Sequence, residues 1–180
     1  MDFDWSKLNT SNLLNNNNTQ QINNETQEEK EKKDLINNYA KAYEIIPESF
    51  IPVDMIYIPC SIGNKYIPAF VDTGAQINIM NIETAVKCGL GPLINKDIET
   101  EMVGVGKQTS LGKIFYVEVT IGTNIIPCSF TISHGGPSII IGLNTLLRHQ
   151  CILDLGKKSL IIGNDTIHFL QEKNLPKSFT

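Results

Sequence analysis

The chain has 180 residues, with 15 Lys and Arg against 19 Asp and Glu and a formal net charge of -4. That length suits one domain with tails, and the acidic balance supplies no basic footprint for nucleic acid. No apolar run approaches the ~20 residues that a membrane-crossing helix needs. Met1-Asp2-Phe3-Asp4-Trp5 lacks the basic-then-apolar order of a secretory signal, so the expected compartment is the cytosol, with the nucleus also open.

Residues 1–25 are rich in Asn, Gln, Ser and Thr and include Asn15-Asn16-Asn17-Asn18. Such a stretch buries too little apolar surface to offset its ordering entropy, and it is expected to be a disordered tail. Residues 26–50 form a helical segment and linker. Glu28, Glu29, Lys30, Glu31, Lys32 and Lys33 place opposite charges three and four apart. Leu35, Ile36, Tyr39, Ala42, Tyr43 and Ile46 follow at helical spacing, and Pro47 stops the helix at or before Ile46. Its apolar face suits either a solvated arm or docking on the next domain.

From residue 51 to about 172 the pattern is β, and residues 173–180 are a tail. Met55 to Ile62 and Tyr66 to Val71 read as two strands around a Gly63-Asn64-Lys65 turn. Ile77 to Met80 is a short apolar run. Asn81 offers an N-cap, Glu83 sits in a first turn and Gly89 is a C-cap, giving a helix over about Ile82 to Cys88. Ile98 to Val103 and Ile114 to Ile121 flank a glycine-rich stretch and are expected to pair as one long hairpin. Its tip, Gly104-Val105-Gly106, fails as a phosphate loop because the third glycine and the following helix are missing.

Ile125 to Ile132 is a further strand, and Ser133 to Ser138 is a loop. Ser138 to Gly142 is a buried strand ending in glycine, followed by a short helix with Leu143, Leu146 and Leu147 on one face. Ile152 to Leu155 and Leu160 to Ile162 form a closing pair, and Ile167 to Leu170 supplies a last strand. Many short strands with Gly and Pro turns point to a mainly β, barrel-like domain.

Chemistry concentrates at Asp72-Thr73-Gly74, which ends an apolar strand and has no second Asp-Thr-Gly or Asp-Ser-Gly in the chain. A carboxylate so placed is costly unless it is hydrogen-bonded, shares a proton or does chemistry. An ordinary turn is the bland reading of that tripeptide. Asp154 lacks the Thr-Gly continuation and reads as a hydrogen-bonded turn, and Asp165 reads as part of a Gly163-Asn164-Asp165 turn. Cys60, Cys88, Cys128 and Cys151 form no Cys-x-x-Cys and have no His at zinc spacing, so buried reduced thiols are expected and no metal or cofactor. His149, near a helix C-terminus, is expected to meet the last carbonyls, and no Gly-x-Ser-x-Gly elbow is present.

Taken together, Phe70-Val71-Asp72-Thr73-Gly74-Ala75, the glycine-rich hairpin and Ile139-Ile140-Ile141-Gly142-Leu143 resemble a retropepsin, the single-lobe aspartic protease that works as a homodimer. The chain is more closely similar to the DNA-damage-inducible protein 1 family of ubiquitin-shuttle proteins. Pro47-Glu48-Ser49-Phe50, Met55-Ile56-Tyr57-Ile58, Ile126-Pro127-Cys128-Ser129-Phe130 and Leu147 to Leu155 carry that likeness, which extends over about Pro47 to Leu170.

The resemblance implies a single-lobe acid-protease barrel preceded by the end of a helical domain. It also implies one catalytic Asp72 per protomer, facing its copy across a two-fold axis. Thr73 and Gly74 would support the active-site loop, Ala75 would leave room for substrate, and Val105 and Gly106 would lie at the flap tip. Asn144 stands where the family often has Asp. The implied function is hydrolysis of peptide bonds in extended segments of ubiquitin-tagged or proteasome-directed proteins. Neither a ubiquitin-like domain nor a ubiquitin-associated bundle is legible within the 180 residues. The competing reading is a non-catalytic dimerisation or peptide-docking module.

Overall fold

The computed structural model describes residues 26–98, 101–104, 106–171 and 175, with backbone alone for 101–104 and 106–108. The chain divides into two compact units between Pro52 and Val53. In the first, helix α1 spans Gln27–Ile45. Thr26 caps it: its hydroxyl accepts the Glu29 N–H at 3.3 Å, and the Glu29 carboxylate accepts the Thr26 N–H at 2.9 Å. This reciprocal pair satisfies two donors that a helix N-terminus leaves open. Pro47 begins a 3-10 turn, Pro47–Phe50, and ends α1 as expected. No α1 residue is buried. The rings of Tyr39 and Tyr43 instead close on Phe50, at 5.1 and 5.6 Å between centroids.

The second unit is built on a closed six-stranded barrel. Its strands are β1 (Tyr57–Ile62), β2 (Lys65–Val71), β3 (Ile79–Asn81), β6 (Gly112–Ile121), β7 (Asn124–Ser133) and β8 (Ile139–Ile141), ordered β1-β2-β8-β3-β7-β6. Period-two alternation sends Ile58, Met80, Ile114, Ile121, Phe130, Ile132, Ile139 and Ile141 inward, each under 2% exposed. Two pairings are parallel, β2 with β8 and β3 with β7. Helix α2 (Ile82–Lys87) begins at Asn81, whose side chain accepts the Thr84 N–H at 2.8 Å. Helix α3 (Leu143–Arg148) follows β8 directly.

Among the described residues, 98–103 do not pair with 114–121 as expected. β4 (Glu101–Gly104) pairs instead with β5 (Gly106–Thr109) in a small separate sheet. β6 begins at Gly112 and pairs with β7, and a bridge joins Lys113 back to Asn95. Ten residues of β6 satisfy more of their backbone and bury more apolar surface in the barrel than in an isolated hairpin. The helix face is also revised. Thr145 and Leu146 are the buried pair of α3, whereas Leu147 is 67% exposed.

A three-stranded sheet, β9 (Ile152–Asp154), β10 (Ser159–Ile162) and β11 (Asp165–His168), closes the unit. Asp165 is more than a turn residue. Its carboxylate accepts from the Thr123 N–H, the Thr123 hydroxyl at 2.7 Å and the Asn124 amide at 3.0 Å, tying this sheet to the β6–β7 turn. Gly122, at φ +61, makes the approach possible, because a Cβ there would strike that carboxylate. Asp154 holds its own turn, accepting the Lys157 N–H at 2.8 Å.

Two outcomes are expected. Phe130→Ala should cost about 3–5 kcal/mol, read as a lower urea midpoint; a change under ~1 kcal/mol would contradict a packed barrel core. The hydrogen bond from the Thr123 backbone holds the Asp165 carboxyl below its ordinary value. Its stabilisation is therefore complete above the unfolded carboxyl value, about 4, and is lost as pH falls through the lower folded one. Asp165→Ala should lower the melting temperature at pH 7, and the gap to wild type should shrink below about pH 4; a constant gap would contradict this.

Candidate active site

Parallel pairing of β2 with β8 sets Val71 beside Ile141. Both strands therefore finish at the same rim of the barrel, one running into Asp72-Thr73-Gly74 and the other into Gly142-Leu143-Asn144. The Asp72 N–H donates to the Ile141 carbonyl at 3.1 Å. Leu143 N–H donates to the Ala75 carbonyl at 2.7 Å, and Asn144 N–H to the Gln76 carbonyl at 3.1 Å. Gly142 is required here, since an added Cβ would overlap the Ile77 carbonyl and stand 2.9 Å from the Ala75 oxygen.

Within the loop, the Asp72 carboxylate accepts the Gly74 N–H at 2.8 Å, and the Ala75 N–H donates back to the Asp72 carbonyl at 3.3 Å. A Cβ on Gly74 would crowd that carboxylate at 3.2 Å. Asp72 and Ala75 are half-buried, and Thr73 and Gly74 are exposed. An apolar barrel thus delivers an acid to its rim with one oxygen fixed by backbone and a face open to other molecules. A carboxylate held this way can take a proton from water or, when protonated, donate one to a carbonyl oxygen.

Of the two residues expected at a flap tip, Gly106 opens β5 opposite Gly104, and Val105 lies outside the described residues. Asn144 is exposed in the first turn of α3, and its side chain accepts the Thr145 N–H at 2.8 Å.

The sequence reading missed Asn78 and Thr145. Asn78 is 1% exposed and lies beneath the loop. Its Oδ1 accepts the Gly142 N–H at 2.9 Å, and its Nδ2 donates to the Ser129 carbonyl at 3.1 Å and to the Thr145 hydroxyl at 2.7 Å. The signal was present as a lone polar residue inside Ile77-Asn78-Ile79-Met80. A buried amide needs partners.

Cys60 and Cys128 are buried; burial pushes their thiols up to about 12 and about 11. Cys88 and Cys151 are only half-buried, contrary to expectation, and burial raises them too. His149 does not meet the α3 carbonyls through its ring. Its Nε2 has no partner among the described residues, and burial, with Arg148 nearby, pushes the imidazole down rather than up. Among the described residues no three His, Cys, Asp or Glu side chains cluster to hold a metal ion, and no helix is long and apolar enough to cross a membrane.

A family model described as aspartyl protease matches residues 47–154. Protein DDI1 homolog of Leishmania major is 40% identical over 147 residues, covering 81% of this chain and 38% of that protein. Protein DDI1 homolog 2 of Homo sapiens is 37% identical over 149 residues, covering 81% and 37% respectively. The chain thus spans under two-fifths of the length of these curated relatives. Among solved structures, the retroviral protease-like domain of Ddi1 from Leishmania major is similar at TM-score 0.60 and 38% identity, covering 69% of this chain and 100% of that one. The likeness bears out the expected mainly β, retropepsin-like fold. This chain belongs to the aspartyl protease family, as a retroviral protease-like domain of the DDI1 homologues.

Proposed function

We propose that the chain is a homodimeric aspartic endopeptidase in which Asp72 from each protomer forms one catalytic dyad. The observation that carries this reading is the Asp72 loop itself: a single acid on a backbone-clamped turn, open on one face, at the rim of a retropepsin-like barrel. Two such carboxylates facing each other at ~3 Å cannot both ionise, so they share one proton and titrate as a pair. The ionised member takes a proton from a water, which attacks the scissile carbonyl. The protonated member polarises the carbonyl oxygen and then passes its proton to the leaving amine.

Supporting roles follow. Gly74 holds one Asp72 oxygen through its N–H. Exposed Thr73 reaches the partner loop, half-buried Ala75 leaves space for substrate, and Val105 and Gly106 close over it from the flap. Substrate lies extended, with alternate side chains in opposite pockets. Dimer formation is supported by β9, an edge of its sheet among the described residues, which starts at Ile152, 58% exposed, and runs into Leu155, 64% exposed. An open apolar edge is a template for pairing with another chain. The likeness to DDI1 homologues supports ubiquitin-tagged or proteasome-directed proteins as substrates, met in the cytosol or nucleus. In domain terms, residues 26–50 end a helical domain and residues 51–172 form the protease.

Asp72→Asn keeps an oxygen for the Gly74 N–H, so the fold should persist while peptide cleavage falls by about 10²–10⁴-fold or more. Wild type and variant equally inert on unfolded and ubiquitin-tagged proteins, from acidic to neutral pH, would favour the scaffold reading. Activity per chain should also drop on dilution, in step with dimer dissociation followed by sedimentation. Concentration-independent turnover by a strict monomer would contradict a shared site.

A further inference from the structure

The peptide joining Ile141 to Gly142 is held from both sides. Its carbonyl accepts the Asp72 N–H at 3.1 Å, and its N–H donates to Asn78 Oδ1 at 2.9 Å. One rigid peptide plane therefore stands between the acid and a buried amide.

That amide has no freedom of its own. Gly142 N–H can only donate and the Ser129 carbonyl can only accept, so the two ends of the Asn78 amide are fixed by their partners. The Thr145 hydroxyl lies 2.7 Å from Nδ2 and 2.9 Å from Oδ1, filling the second site at each end. All four hydrogen-bonding sites of an Asn amide are then occupied. The group is 1% exposed, so no water competes for them. Its partners sit on β7, at the β8–α3 junction and in α3, and its own backbone carbonyl accepts the Thr131 N–H at 3.0 Å.

We propose that Asn78 is a positioning residue: it fixes the tilt of the Ile141–Gly142 peptide and, through it, the placement of the Asp72 carboxylate. This rests on the peptidase reading above. Proton sharing in a dyad depends steeply on carboxylate separation, because closeness drives the two apparent pKa values apart. Without the Asn78 amide, Gly142 N–H loses its acceptor, the peptide can rotate and the Asp72 backbone follows. The dyad loosens, and its two apparent pKa values move toward each other.

The test compares wild type, Asn78→Ala, the milder Asn78→Ser and a distant core variant, Ile121→Ala, by melting temperature and by kcat and KM across pH on one peptide substrate. In both Asn78 variants kcat should fall by about 10²-fold, the scale of a 1 Å misplacement. KM should change far less, and the bell-shaped pH profile should narrow. Ile121→Ala should lose stability while keeping the wild-type profile. If Asn78→Ala does not fold, Asn78→Ser alone decides. An active wild type whose folded Asn78 variants keep its pH profile and kcat overturns this proposal alone. An inert wild type overturns the peptidase reading and this one with it.

Discussion

Parallel pairing of β2 with β8 brings the ends of two strands that are far apart in sequence to one rim of the barrel, and the site depends on that meeting. An antiparallel pair would send Asp72 and Gly142 to opposite ends. Here the Asp72, Leu143 and Asn144 N–H groups find carbonyls across the junction. Each such bond contributes on the order of 1 kcal/mol net. Leaving one buried group unpaired costs about 1–3 kcal/mol, so the junction resists loosening at any single point. The glycine at 142 is a consequence of that closeness, since no larger residue fits over the Ile77 carbonyl.

Apolar burial and the open acid lie in different parts of the unit. Ile58, Met80, Phe130 and Ile139 supply apolar burial at its centre, at roughly 25 cal/mol per Å² removed from water. The Asp72 loop contributes little of that and is open instead. Asp165 performs a different task, drawing the β10–β11 turn onto the β6–β7 turn and so keeping the three-stranded sheet in register with the barrel. The two acids are both surface carboxylates held by backbone N–H groups. They differ in what else they meet: Asp165 is filled by donors from its own chain, whereas Asp72 keeps a free face.

Much of this was legible in the residues. Apolar strands with period-two alternation marked the barrel strands, Asn81 marked the start of α2, Thr26 to Ile46 marked α1, and Asp72-Thr73-Gly74 marked the candidate site. Partner choice was less legible. Alternation in 114–121 identifies a strand but says nothing of its neighbour, and that neighbour is β7, which completes a closed barrel. Asn78 was hidden because one polar residue in an apolar run looks like an interruption, and its partners Ser129, Gly142 and Thr145 are distant in sequence. Thr145 displaced Leu147 from the buried face of α3 for the same reason. The tether at Asp165 was unreadable from a turn signature alone, because its donors lie over forty residues away.

The most direct measurement of the central claim is the distance between the two Asp72 carboxylates in a crystal of the assembled protein. The account predicts that they approach to about 3 Å, close enough to share a proton, with β9 edges of the two chains adjoining. Asp72 side chains on separate surfaces in every assembly, each facing only solvent, would contradict it.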